Sequence, residues 1–336
     1  MKLISYLHED LDRVAILHDD KAYDLESLDK TFPDNMADFL SGEDELMVQA
    51  KQYNEKIKAG EIKSSLAKNL ADLILLSPVP HPTSCRDGYA FRQHVAAARL
   101  NRGVEMIPEF DQYPIFYFTN HQAMYGPGDV DCMPDHFQQL DFELEAAIVI
   151  GKQGRSIRAH EADEYIAGYM IMNDLSARVL QMEEMKLNLG PAKGKDFATI
   201  LGPYMITPDE LDPFLVEAKN GHTGKQYRLN MKCWVNGKLV SEGYMSDMDW
   251  TFAEIIERAS YGVELLPGDV IGSGTVGTGC FLELNGTGKR LDPNHKPQWL
   301  QPNDVVTMEI DALGKLENRI VRSDDDFSIL ALKKNI

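Results

Sequence analysis

Apolar and polar residues alternate with a period of two along much of this 336-residue chain, and that alternation predicts strands. Near the start, the runs KLISYL, RVAILH and KAYDL are separated by polar turns and read as a β-meander over residues 1 to about 28. The period then changes. Between Asp44 and Lys68, Leu46, Tyr53, Ile57, Ile62 and Leu66 recur at roughly helical spacing among many charges. Pro78, Pro80 and Pro82 interrupt the pattern and mark a boundary, dividing a small N-terminal domain, 1–76, from a larger domain, 77–336.

Beyond the prolines strand signals dominate: YPIFYFT, FELEAAIVIG, YMIMND, LGPYMIT, DVIGSGT, FLELNG and VVTMEID. KCWVNGKLVSEG predicts a hairpin turning at Asn236–Gly237. No fixed-period repeat or low-complexity tract is present. The expected fold is therefore mixed and β-rich (α+β), with antiparallel or mixed sheets closed enough to hide their edges.

Composition narrows the partners. A net charge of −19 argues against nucleic acid and against an anionic membrane surface. The N-terminus carries charges where a signal peptide needs an apolar run, and no stretch approaches a membrane span. Cysteines at 85, 132, 233 and 280 form no C-x-x-C pair, so reduced thiols and a cytoplasmic location are expected.

Four acidic residues stand out against that background: Asp87 in CRDGYAFRQH, Glu143 and Glu145 in DFELEAAIVIG, and Asp174 in MNDLSAR. On a strand, Glu143 and Glu145 share one face while Phe142, Leu144 and Ala146 fill the other. Two neighbouring carboxylates repel unless a cation or proton lies between them. Oxygen-only ligands suit Mg²⁺, Mn²⁺ or Ca²⁺. A solvated acidic strand edge is the ordinary alternative for a Glu-x-Glu taken alone. Asp87 and Asp174 each sit where a helix N-cap would, with His94 and Gln181 seven residues further on. Lys195, after a glycine-rich bend, reads as a lone cation beside the acids that could neutralise an oxyanion.

Gly272, Gly274 and Gly277 spell a literal G-x-G-x-x-G. A dinucleotide fingerprint must open a helix, whereas CFLEL is expected to resume a strand, so these glycines are read as a tight turn near a ligand. Thr275 and Glu283 would lie at its mouth, with Glu283 facing away from the core.

These motifs together resemble the fumarylacetoacetate hydrolase family from about residue 75 onwards. The resemblance is carried by D-x-Y-x-x-x-x-H from Asp87 to His94, E-x-E at Glu143 and Glu145, N-D-x-S-A-R from Asn173 to Arg178, the Gly194–Lys195 pair, and L-x-P-G-D-V-I-G-S-G-T from Leu265 to Thr275. It implies a β-roll catalytic domain in which Asp87, Glu143, Glu145 and Asp174 bind Mg²⁺ or Ca²⁺, with Mn²⁺ a further option, and it implies a homodimer. It also implies that Glu283 orients His94 as a general base, that Lys195 and Gln181 assist, and that Tyr89, Arg102 and Thr275 contact substrate. The expected activity is carbon–carbon bond hydrolysis of a small β-diketo acid, fumarylacetoacetate first, in aromatic amino-acid breakdown. Acylpyruvate hydrolysis, or oxaloacetate decarboxylation or keto-acid isomerisation, is the alternative; a non-catalytic cation-binding protein is an alternative of another class. Met185 and Asn120 depart from tyrosines of the family pattern, which bears on substrate recognition.

Overall fold

A computed structural model of the chain describes residues 1–334. The elements that position the site are strands β1 (Lys2–His8), β2 (Leu11–His18), β3 (Lys21–Asp24), β4 (Ala67–Asn69), β5 (Cys85–Gly88), β6 (Phe116–Thr119), β7 (Gly128–Cys132), β8 (Leu144–Ile150), β9 (Ile166–Asp174), β10 (Thr199–Ile206), β11 (Asn230–Val235), β12 (Lys238–Tyr244), β13 (Val270–Gly272), β14 (Val305–Ile310) and β15 (Gly314–Arg322). Five helices matter alongside them: α1 (Glu43–Lys58), α2 (Arg92–Asn101), α3 (Arg178–Met185), α4 (Phe252–Ser260) and α5 (Phe281–Leu291).

The main sheet runs β4-β3-β2-β1-β10-β9-β8-β13-β5-β6, and a second sheet runs β12-β11-β14-β15-β7. Between them lies the larger core, holding Ala146, Ile148 and Ile150 of β8, Tyr169 and Ile171 of β9, and Met231, Met308, Leu316 and Ile320 of the second sheet. The opposite face of β8 and β9 contributes Ala147, Val149, Met170 and Met172 to a second core, completed by Phe39, Leu40, Ala50 and Ile57 from the helical N-terminal segment. Both faces of β8 are thus buried, and its uninterrupted apolar run is what two covering layers require.

The meander is present as β1–β3, and Asn236 and Gly237 both take positive φ, 51° and 75°, at the predicted hairpin turn. The N-terminal strands join the main sheet through β1, where Lys2 pairs with Ile206 of β10, so pairing is continuous across the expected boundary.

Three expectations are corrected. The main sheet is open among the described residues, ending at β4 and β6. The helix that begins near Asp44 stops at Lys58, because Gly60 at φ +73° turns the chain while the Glu61 N–H bonds back to the Lys56 carbonyl. FLELNG is the start of α5, not a strand. Its alternating residues fit a helix here because the buried Asp141 carboxylate accepts the Phe281 and Leu282 N–H groups at 2.7 and 2.9 Å, and Cys280 Sγ accepts that of Glu283. Gly286 then admits α2, since a Cβ there would meet the Asn101 side chain at 2.6 Å.

Candidate active site

Register on one sheet face assembles the site. Asp87 on β5 pairs with Gly272 on β13, Gly272 pairs with Ala147 on β8, and Glu145 pairs with Met172 on β9, two residues before Asp174. Residues paired directly across strands share a face, so Asp87, Glu145 and Asp174 project from the face that also carries Ala147 and Met172. Glu143 follows the same alternation from just before β8. Ligand oxygens of Asp87, Glu143, Glu145 and Asp174 all lie within 4.8 Å of one another, and all four residues are buried. Asp87 and Asp174 reach this position from strand ends; the caps of α2 and α3 are Phe91 and Ala177.

Gly272 is the floor of the cluster. A Cβ there would lie 2.5 Å from Asp87 Oδ1 and 3.1 Å from Glu145 Oε2, so only glycine leaves the carboxylates room to converge. At Gly274, φ is +78° and a Cβ would meet the Gly88 carbonyl at 2.7 Å. Its N–H donates to Asp87 Oδ1 at 3.1 Å and Glu145 Oε2 at 3.2 Å, and Thr275 Oγ1 donates to Glu145 Oε1 at 3.3 Å.

The electrostatics divide the four acids. Burial, followed by the charge of Asp174, pushes the Asp87 carboxyl up to about 8. Burial and the charge of Asp87 drive Glu145 well above the usual carboxylate range, and burial raises Asp174 despite Lys195. Glu143 goes the other way. Burial opposes its ionisation, but Lys195 and Arg178 outweigh that and hold it below the usual range. Lys195 Nζ bridges Glu143 and Asp174, and those two carboxylates keep the buried ammonium above its ordinary value against desolvation.

A divalent cation fits this set. All four donors are hard oxygens, three of them lack enough positive charge to ionise easily, and Asp174 Oδ1 is buried without a hydrogen-bond partner. Asp87, Glu143, Glu145 and Asp174 would hold such an ion.

His94 and Glu283 form the second half of the site. His94 Nδ1 lies 2.6 Å from Glu283 Oε2, and Glu283 Oε1 accepts the Thr278 N–H at 3.0 Å. Glu283 is 3% exposed, against the expectation of a solvent-facing residue, because α5 turns it toward α2. Tyr89 packs edge-on to His94 with ring centroids 6.2 Å apart. Gln181 Oε1 accepts from Arg178 Nη1 at 3.0 Å, and Gly194 lies close against its backbone, setting the path of the chain into Lys195. Arg102 is exposed at the end of α2, bonded to the Ala98 carbonyl, so the structure does not bring it into the buried group.

Three residues have roles that the sequence reading does not assign, Arg178 among them although it closes the N-D-x-S-A-R motif. Arg178 Nη2 donates to Glu143 Oε1 at 2.8 Å while its Nε donates to Asp141 Oδ2 at 2.9 Å, linking the carboxylate cluster to the start of α5. The alternation D-x-E-x-E carried the signal for Asp141. Tyr117, paired with Asp87 across β5 and β6, donates its hydroxyl to Asp174 Oδ2. The glycine fingerprint does precede a helix, so the expected strand is no longer the ground for rejecting a dinucleotide site. That ground is now the first-turn N–H groups of α5, which are taken by Asp141 and Cys280 and leave no free anion cradle.

Comparison with known proteins places residues 83–321 on the fumarylacetoacetate (FAA) hydrolase C-terminal domain. The chain is 29% identical over 318 residues to oxaloacetate tautomerase YisK of Bacillus subtilis, covering 91% of this chain and 94% of that protein. Its fold resembles that of a fumarylacetoacetate hydrolase from Exiguobacterium antarcticum, with a TM-score of 0.70, 24% identity and coverage of 96% and 100%. A maleylpyruvate hydrolase from Sphingobium, solved with manganese(II) and pyruvate, superimposes with a TM-score of 0.67 at 22% identity over 96% of this chain and all of that one. No helix among the described residues is long and apolar enough to cross a membrane.

Proposed function

The chain belongs to the fumarylacetoacetate hydrolase family, and from that premise we propose that it is a metal-dependent enzyme that moves a proton at the carbon beside the carbonyl of a short 2-oxo dicarboxylic acid, interconverting the enol and keto forms of an oxaloacetate-like substrate. The observation that carries this reading is the buried His94–Glu283 pair standing against the carboxylate cluster, with His94 and Glu143 ligand atoms within 4.8 Å. The similarity to an oxaloacetate tautomerase over nearly the whole chain supports it.

Mg²⁺, Ca²⁺ or Mn²⁺ held by Asp87, Glu143, Glu145 and Asp174 would polarise the substrate carbonyl and favour the enolate. Glu283 fixes the His94 ring with the proton on Nδ1, leaving the Nε2 lone pair for substrate. His94 takes the proton from the carbon, the C–H electrons form the C=C bond, and the carbonyl electrons pass to oxygen. Lys195, kept protonated by Glu143 and Asp174, supplies fixed positive charge beside that oxygen. In the ketonising direction His94 returns the proton to carbon.

A second reading uses the same pair to activate water for carbon–carbon hydrolysis of a β-diketo acid such as fumarylacetoacetate or an acylpyruvate. The oriented imidazole suits both reactions, so substrate decides. Freshly dissolved enol-oxaloacetate loses its ultraviolet absorbance as it ketonises. Acceleration by the Mg²⁺-loaded protein, lost in His94→Gln, supports tautomerisation. Unaccelerated ketonisation alongside release of fumarate from fumarylacetoacetate assigns hydrolysis instead.

A further inference from the structure

Beside the hard-oxygen cluster, His94, Glu143 and Cys280 also bring one ligand atom each to within 4.8 Å of one another, and all three are buried. This set has a different chemistry. It offers an imidazole nitrogen, a carboxylate oxygen and a thiol sulfur, the mixture that selects Zn²⁺ or Cd²⁺ over Mg²⁺ or Ca²⁺. We propose that His94, Glu143 and Cys280 form a second metal site for a soft or borderline divalent cation, and that its occupation blocks the enzyme.

Four features of the geometry support this. His94 Nδ1 is engaged by Glu283 Oε2 at 2.6 Å, which leaves Nε2 as the free ring nitrogen. A carboxylate on the far nitrogen is the arrangement that fixes the tautomer and raises the basicity of zinc-bound histidines. Cys280 stands at the N-cap of α5, where its sulfur accepts the Glu283 N–H at 3.5 Å, so sulfur and imidazole are positioned by the same helix start. Donors around a tetrahedral ion with bonds of about 2.0–2.3 Å stand roughly 3.3–3.8 Å apart, so ligand atoms already within 4.8 Å of one another need to close in by at most about 1–1.5 Å. Water would supply the fourth position. Binding displaces the Cys280 thiol proton to solvent and places a thiolate, a neutral imidazole and a carboxylate on the ion.

The consequence follows from what the two sites share. Glu143 belongs to both, and the soft ion occupies the nitrogen with which His94 would meet substrate. Zinc therefore inhibits even where magnesium is saturating.

The test uses the full chain held at saturating Mg²⁺ and titrated with Cd²⁺, whose thiolate complexes absorb in the ultraviolet. One equivalent should produce that absorption in the wild type and none in Cys280→Ser or Cys280→Ala, while both variants keep the Mg²⁺-induced rise in Tm. With the same variants the Zn²⁺ concentration for half-inhibition should rise by at least the roughly tenfold that loss of even an outer-shell partner costs such sites. Absorption that persists in both variants assigns the ion to another thiol and overturns the proposal. So does absence of absorption in the wild type while Zn²⁺ displaces Mg²⁺. Should the variants not fold, the wild-type histidine NMR signals decide: Zn²⁺ must shift those of His94, and unshifted signals overturn the site. The absorption and NMR readouts do not depend on which substrate the enzyme turns over.

Discussion

His94 and Glu283, 189 residues apart in the chain, meet through a 2.6 Å contact between Nδ1 and Oε2. Two helices deliver them, α2 and α5, and Gly286 lets these helices touch. Replacing His94 with Gln should lower turnover by about 10²–10⁴-fold, the usual contribution of a positioned general base. The Mg²⁺-induced rise in Tm should persist in the variant. Turnover close to wild type would remove His94 from the reaction.

Asp141 ties the two halves of the site together. Its carboxylate accepts the Phe281 and Leu282 N–H groups, two of the three first-turn donors of α5, and the Arg178 guanidinium, which in turn holds Glu143. Asp141→Ala strips α5 of two acceptors and leaves Arg178 short of a buried partner. Loss of about 3–5 kcal/mol is expected, as for other broken buried pairs, measured by denaturant unfolding. Unchanged stability would show that water replaces the carboxylate without penalty.

Gly272→Ala places a Cβ 2.5 Å from Asp87 Oδ1. The substitution should destabilise by about 1–3 kcal/mol as an overpacked site and abolish the response of Tm to divalent cations. Retained metal binding would mean that the carboxylates hold an ion elsewhere than above Gly272.

Lys195 is the fixed cation between Glu143 and Asp174. In Lys195→Met those carboxylates lose it, so in chelator the variant should melt well below wild type. Added Mn²⁺ should then raise its Tm by more than it raises that of wild type, while turnover falls about 10²–10³-fold for want of the oxyanion partner. An equal metal response in both proteins would show that lysine and ion do not share the cluster.

His136 gives a pH dependence outside the active site. It is buried against Phe197, ring centroids 3.8 Å apart, with Nδ1 accepting the Met133 N–H. Burial first, then the charge of Lys193, pushes its pKa down from 6.5 to about 4. Below pH 6.5 the unfolded chain takes up the proton more readily than the folded one, so stability falls as pH drops from 6.5 toward 4. His136→Phe should flatten that part of the curve, measured by urea unfolding between pH 7 and 4.5. An unaltered slope would assign the loss to other groups.

Much of this architecture was legible from alternation alone. The shared face of Glu143 and Glu145 follows from strand periodicity, as does the meander, and the Asn-Gly dipeptide marks the hairpin at Asn236–Gly237. Asp87 and Asp174 stand out as candidates in the sequence but read as helix caps, since an acid at or beside a strand end and just ahead of a helical run looks like a cap when pairing partners are unknown. α5 was hidden because Gly286 and Gly288 imitate turn signals, and because its cap acceptor, Asp141, lies 140 residues away. Arg178 and Tyr117 act through long-range pairing that local pattern does not encode, and Cys280 carried no motif.

The strict division of β8 between two faces bears on how the chain can misfold. Slipped by one residue against β9, the strand would drive Glu145 into the dry space between the sheets and turn Ala146 toward the ion site. A misregistered molecule would thus bear an unpaired charge in its interior and lack a ligand in its pocket. The acid that serves chemistry also acts as a proofreading mark on strand pairing, so selection for activity and selection against wrong register both fall on Glu145.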